Sequence, residues 1–168
     1  ATDWQPIADG QWQPLKALDF SLDADQIGWQ GWHIGSLQLE GKSRDGVIAV
    51  TSSKGRLQGG NFEAAFDWDT GTQAVRFSSL LLHGQRLELA SAPILLLQQI
   101  DLPRGELNEV TLVGPQGHLT ANHLSGQLRD LSWQQGQALE GEFKGSLGEL
   151  ALDHNSLSDI RAEVQLQP

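Results

Sequence analysis

Residues 36–69 read SLQLEGKSRDGVIAVTSSKGRLQGGNFEAAFDWD, and their spacing decides the fold. Three short runs, Leu37–Leu39, Val47–Val50 and Phe62–Trp68, alternate apolar with polar residues. The breaks between them carry Gly41, Gly46, Gly55, Gly59 and Gly60. Alternation with period two places every second side chain on one face of a pleated strand, so these runs predict half-buried antiparallel β-strands joined by glycine turns. The pattern extends outward in both directions. Leu18, Phe20, Leu22 and Ala24 alternate with Asp19, Ser21, Asp23 and Asp25 upstream, and Ile160, Ala162, Val164 and Leu166 alternate with Arg161, Glu163 and Gln165 near the end. Asp69-Thr-Gly-Thr predicts a hairpin turn with Gly71 at positive φ. The alternation slips at Ser78–Ser79, as a β-bulge would make it do.

Composition supports an all-β chain over a helical one. The 168 residues include 27 leucines, which favour helices, but also 19 glycines spaced closely enough to leave few uninterrupted helical windows. Ser91–Ile100 is the one helix candidate, with Pro93 suited to its first turn. Residues 1–15 predict an irregular lead-in. Residues 16–168 predict a single β-rich domain with two sub-repeats meeting near residues 91–105. The expected architecture is a meandering antiparallel sheet, curled or trough-like, with bulges and one short helix.

The formal net charge of −10 repels nucleic-acid phosphates, which argues against nucleic-acid binding. The chain has no cysteine and no methionine, which removes thiolate metal sites and predicts a processed or excised piece of a longer protein. No apolar run approaches the ~20 residues of a membrane span.

The residues that could carry chemistry lack the spacing for it. His118 and His123 are five apart, which on a strand sends them to opposite faces. Asp19, Asp23 and Asp25 lack the glycine-turn geometry of a calcium loop. Ser52, Ser53, Ser78, Ser79, Ser91 and Ser125 lie outside any nucleophile-elbow motif, with no histidine–acid pair evident beside them. Neither a phosphate-cradling loop nor a dinucleotide glycine pattern is present. The expectation is a non-enzymatic protein with no metal and no cofactor. Trp29 and Trp32, flanking Gly31, are candidate aromatics at a sheet rim, where they could stack on a sugar ring or cover the end of the core.

The order in residues 34–68 resembles the repeating sheet region of AsmA-like proteins of Gram-negative envelopes. A strand like SLQLEG is followed by one like GVIAVTSSKGRLQGG and then by one like NFEAAFDWD. Residues 92–114 are similar to later repeats of that family, with the leucine run APILLLQQ followed by a Pro/Gly turn and a fresh strand. The resemblance implies a U-shaped β-trough in the periplasm, anchored to the inner membrane by a helix outside this chain. It further implies a link to phospholipid transport between membranes and to outer-membrane homeostasis, with no catalytic residues. Phospholipid acyl chains are then the expected partner. The candidate lining is Leu37, Leu39, Phe62, Phe66, Val75, Phe77, Leu87, Leu89, Val110 and Leu112, with Gln38, Glu40, Glu63, Asp67 and Arg76 facing water. The alternative is a carbohydrate- or peptide-binding β-sandwich using Trp29 and Trp32 or a free strand edge.

Overall fold

A computed structural model describes residues 5–6, 12–13, 17–29, 32–88, 97–114 and 117–167. The chain is nearly all β. In order the strands are β1 (Gln5–Pro6), β2 (Trp12–Gln13), β3 (Ala17–Ala24), β4 (Ile27–Trp29), β5 (Trp32–Arg44), β6 (Val47–Leu57), β7 (Gly60–Asp69), β8 (Ala74–His83), β9 (Arg86–Glu88), β10 (Gln99–Val113), β11 (Leu119–Gln134), β12 (Glu140–Leu152) and β13 (Asn155–Leu166). Among the described residues β1 and β2 pair with each other alone. The remaining eleven form one open, curled sheet in the order β13-β12-β11-β10-β8-β7-β6-β5-β3, with β4 also on β5 and β9 also on β10.

The strands are longer than the sequence runs suggest, because several glycines read as breaks lie inside them. Gly41 is inside β5 and Gly55 inside β6. A Cβ on Gly41 would meet the Phe20 ring at 2.7 Å, and one on Gly55 would strike the Ser36 backbone. These positions need glycine for close approach, not for turning. True turns fall at Asp45-Gly46 (φ 50 and 82) and Gln58-Gly59 (φ 48 and 84), the two-positive-φ pattern that matches strand twist. The Asp69 turn also forms, with Oδ1 accepting from Gly71 N (2.9 Å) and Thr72 N (3.2 Å). Its left-handed residue, however, is Gln73 (φ 55) rather than Gly71. The Gln73 side-chain amide donates to Thr70 O and accepts from Trp68 Nε1, which holds that conformation in place.

Two expectations change. Of the helix expected over Ser91–Ile100, residues 91–96 lie outside the described residues, and Gln99 and Ile100 belong to β10. Ile100 is held between Val75 on one side and Trp133 on the other, so strand pairing takes both flanks. The sheet is also not wholly antiparallel. β10 runs parallel to β8 and β9, which demands a crossover connection instead of a hairpin. Two antiparallel meanders, β3–β8 and β10–β13, therefore meet along one parallel seam, in which β8 and β9 both run beside β10. Gln85 plugs the break between β8 and β9 there. It is 1% exposed, its side-chain amide donates to Asn61 O at 2.5 Å, and its backbone carbonyl accepts from Thr111 N at 2.8 Å.

A line of register shifts crosses the sheet at one level. It runs through Glu40/Gly41 on β5–β6, Val50/Ser53 on β6–β7, Ala65/Phe66 on β7–β8 and Arg129/Ser132 on β11–β12. The slip expected at Ser78–Ser79 is one member, since Ser79 pairs with Ala65 and Phe77 with Phe66. Bulges bend strands and free ladder groups. Hydroxyls add cross-strand bonds along this crease: Thr51 donates to Glu40 O (3.3 Å), Ser53 to Ala64 O (2.7 Å) and Ser78 to Ala65 O (3.2 Å). Ser53 is 4% exposed, so Ser53→Ala removes a buried hydrogen bond to the Ala64 carbonyl. The expected cost is about 1–2 kcal/mol of stability by denaturant unfolding, with Ser52→Ala, on an exposed side chain, close to neutral.

Candidate functional site

Cross-strand partners share a face, so the register sorts the side chains. One face carries Leu37, Leu39, Ile48, Val50, Phe62, Ala64, Phe66, Trp68, Val75, Phe77, Leu80 and Leu82 in the first meander. It continues through Ile100, Leu102, Leu107, Val110, Leu124, Leu128, Phe143, Leu147, Ile160 and Val164 in the second. The opposite face is polar, and Gln38, Glu40, Glu63, Asp67 and Arg76 are all exposed on it. Because each bulge re-aims its strand at the same level, the apolar set stays on one side across the crease.

Among the described residues no second layer covers that face. Among the described residues eight hydrophobic ones are buried: Val50, Ala64, Val75, Leu102, Leu107, Val110, Val113 and Leu147. Most of the large side chains on the face are half-exposed. The sheet covers part of the surface with its own residues, by laying side chains over glycines. Phe20 lies over Gly41, and Phe143 lies over the cross-strand pair Gly126–Gly145, its ring carbons 2.9 and 2.8 Å from where the two Cβ atoms would stand. Leu131 lies over Gly141 in the same way. Phe66 and Phe77 pack ring on ring at 5.5 Å.

Of the ten expected lining residues, Leu37, Leu39, Phe62, Phe66, Phe77, Leu87 and Leu112 are half-buried and reachable. Val75 is 7% exposed and Val110 has no exposed surface. Those two pack beneath their neighbours and are core, not contacts for a ligand. Leu89 lies outside the described residues. Sequence reasoning omitted Ile48, Leu80, Leu82, Leu124 and Leu128, which the register places on the same face. Their signal was present in the alternation, but assigning a face required the partner strand. Trp29 and Trp32 are backbone partners closing the β4–β5 hairpin at one edge of the sheet; their side chains are not among those described.

Among the described residues the titratable groups do not converge. His118 and His123 each take a separate acid: His118 Nδ1 lies 2.7 Å from Asp153 Oδ1, and His123 Nδ1 lies 2.5 Å from Glu109 Oε2. The His123–Glu109 pair stands beside Ser125, a proximity invisible in the sequence. Yet the Ser125 hydroxyl accepts from the Glu109 backbone N–H at 3.0 Å and makes no hydrogen bond to His123. A nucleophilic serine needs that histidine as its base. Asp19 and Asp23 face solvent from β3, and among the described residues no three histidines, aspartates or glutamates gather as a metal site would require. The most site-like feature is thus the apolar face itself. Comparison with protein-family models, with curated proteins and with solved structures gives no match, so the geometry carries the functional reading alone.

Proposed function

We propose that the chain is a non-enzymatic, lipid-handling segment of an AsmA-like envelope protein. In this reading it lies in the periplasm, with an inner-membrane anchor outside these residues, and takes part in phospholipid movement between membranes and in outer-membrane homeostasis. One observation supports the reading above the others: a single-layer sheet keeps one continuous face of leucine and phenylalanine without a covering layer among the described residues. Such a face gains free energy from any apolar partner, at roughly 25 cal/mol per Å² removed from water. Acyl chains fit it because they need no hydrogen bonds and tolerate an irregular surface. A carbohydrate- or peptide-binding sandwich would require a second sheet packed on that face. Mass spectrometry of extracts from gently purified protein tests the proposal. Co-purifying phospholipid in stoichiometric amount is the expected result, and lipid-free protein that also takes up none from vesicles would overturn it.

A further inference from the structure

The parallel seam between β8 and β10 opens along part of its length. Pairing runs from Gln99↔Ala74 to Asp101↔Arg76 and resumes at Glu106↔Leu81, so residues 102–105 and 77–80 pass each other without a ladder. Two local features account for the gap. Pro103 has no backbone N–H to donate, and β8 bulges at Ser78, between Phe77↔Phe66 and Ser79↔Ala65. An open cavity of about 400 Å³ lies here, with Arg104, Arg129, Ser79, Glu106 and Glu63 among its lining residues.

Arg104 and Arg129 are direct cross-strand partners, one step from the Gly105–Leu128 pair of the apolar face, and so stand side by side on the polar face. Like charges set opposite each other cost stability. The chain has 21 acidic residues against 11 basic ones, yet among the described residues neither arginine forms an ion pair. Arg129 has Glu142 opposite it on β12, but its Nη2 donates instead to Gln127 Oε1 (3.4 Å) on the cavity wall. Both guanidinium groups are exposed.

We propose that the seam cavity binds a single phosphate-type oxyanion between the guanidinium groups of Arg104 and Arg129, with the exposed Ser79 hydroxyl as a neutral donor. A planar guanidinium donates parallel bonds to two oxygens of such a group, and an anion placed between the arginines turns their repulsion into attraction. Glu106, two residues along β10 from Arg104, and Glu63 on β7 bound the positive patch, so it admits one anionic group and rejects a polyanion. Free phosphate and the headgroup of phosphatidic acid both present that group. The inference stands whether or not the apolar face takes acyl chains, because the arginines lie on the opposite face.

Calorimetric titration of the full chain with inorganic phosphate at constant ionic strength tests it, together with flotation on phosphatidylcholine vesicles with and without phosphatidic acid. Wild-type protein is expected to bind inorganic phosphate, the phosphatidic acid vesicles or both, and the pattern separates the free anion from the headgroup. R104Q and R129Q are each expected to weaken that binding about tenfold, through loss of charge-assisted hydrogen bonds. E106Q removes an opposing charge and is expected to strengthen it. R44Q, at an arginine paired with Asp45 at 3.6 Å outside the cavity, is expected to leave it unchanged. All of these side chains are exposed, and circular dichroism confirms that each variant is folded. Wild-type protein that binds neither phosphate nor the vesicles, or binding that R104Q and R129Q leave unchanged, overturns the proposal.

Discussion

Gly145→Val is expected to destabilise the protein severely, by about 3 kcal/mol and about 10 °C in Tm. Gly145 and Gly126 face each other across β12 and β11. A Cβ on Gly145 would strike the Ser125 carbonyl oxygen, and it would stand 2.6 Å from the Gly126 Cα and 2.8 Å from the Phe143 ring. Two of these neighbours are backbone, so no rotamer change relieves the clash. The Phe143 ring would also be lifted off its glycine floor, exposing an aromatic that has no second layer to shelter it. Gly28→Ala is the control. A Cβ there meets nothing within 4 Å and the backbone is not left-handed, so thermal unfolding should change by less than about 0.5 kcal/mol. Equal losses at both positions would show that glycine acts through chain stiffness and not through close approach.

Phe62→Glu combined with Leu37→Glu is expected to lower affinity for a fluorescent long-chain fatty acid at least about tenfold, while the fold persists. Both residues are half-exposed on the apolar face. Phe62 is opposite Gly55 and Leu82, and Leu37 is opposite Gly55 and Ala24. Carboxylates there stay solvated in the free protein, so stability changes little. Covering them with an acyl chain would strip that solvation without offering a partner, a penalty of several kcal/mol per group when complete. Glu63→Gln and Asp67→Asn, on the polar face, should leave binding unchanged. Loss of binding in both sets would point to a site elsewhere.

The alternation around residues 36–69 made the strands, the Asp45-Gly46 and Gln58-Gly59 turns and the apolar face legible, because period two is a local property of a pleated chain. The bulge at Ser78–Ser79 was legible for the same reason. What escaped was non-local. The parallel seam between β8 and β10 leaves no mark on either strand's own pattern. The crease was invisible as a crease, since each slip belongs to one strand while their alignment belongs to the register. Serines in VTSSK and RFSSL resemble candidate nucleophiles or loop residues in sequence, whereas Ser53 and Ser78 donate to cross-strand carbonyls beside the bulges. Glycines inside β5, β6, β11 and β12 pass for turns or breaks because a sequence shows their flexibility but not the ring or backbone lying against them. Left-handed Glu109, His123, Asp130 and Asp159 had no glycine or asparagine to announce them. Val75 and Val110 pass for lining because alternation assigns a face but not a depth.

An apolar face that is open and takes acyl chains is the central claim, and the lack of native cysteine makes single-cysteine labelling its most direct test. Leu39→Cys, on the apolar face, and Glu40→Cys, its neighbour on the polar face, would be reacted with a thiol reagent in the absence and presence of phospholipid. Both are expected to react in lipid-free protein, and phospholipid is expected to slow labelling at position 39 alone. A cysteine at position 39 that is unreactive in the folded, lipid-free protein, or whose rate is the same with and without phospholipid, would contradict the claim.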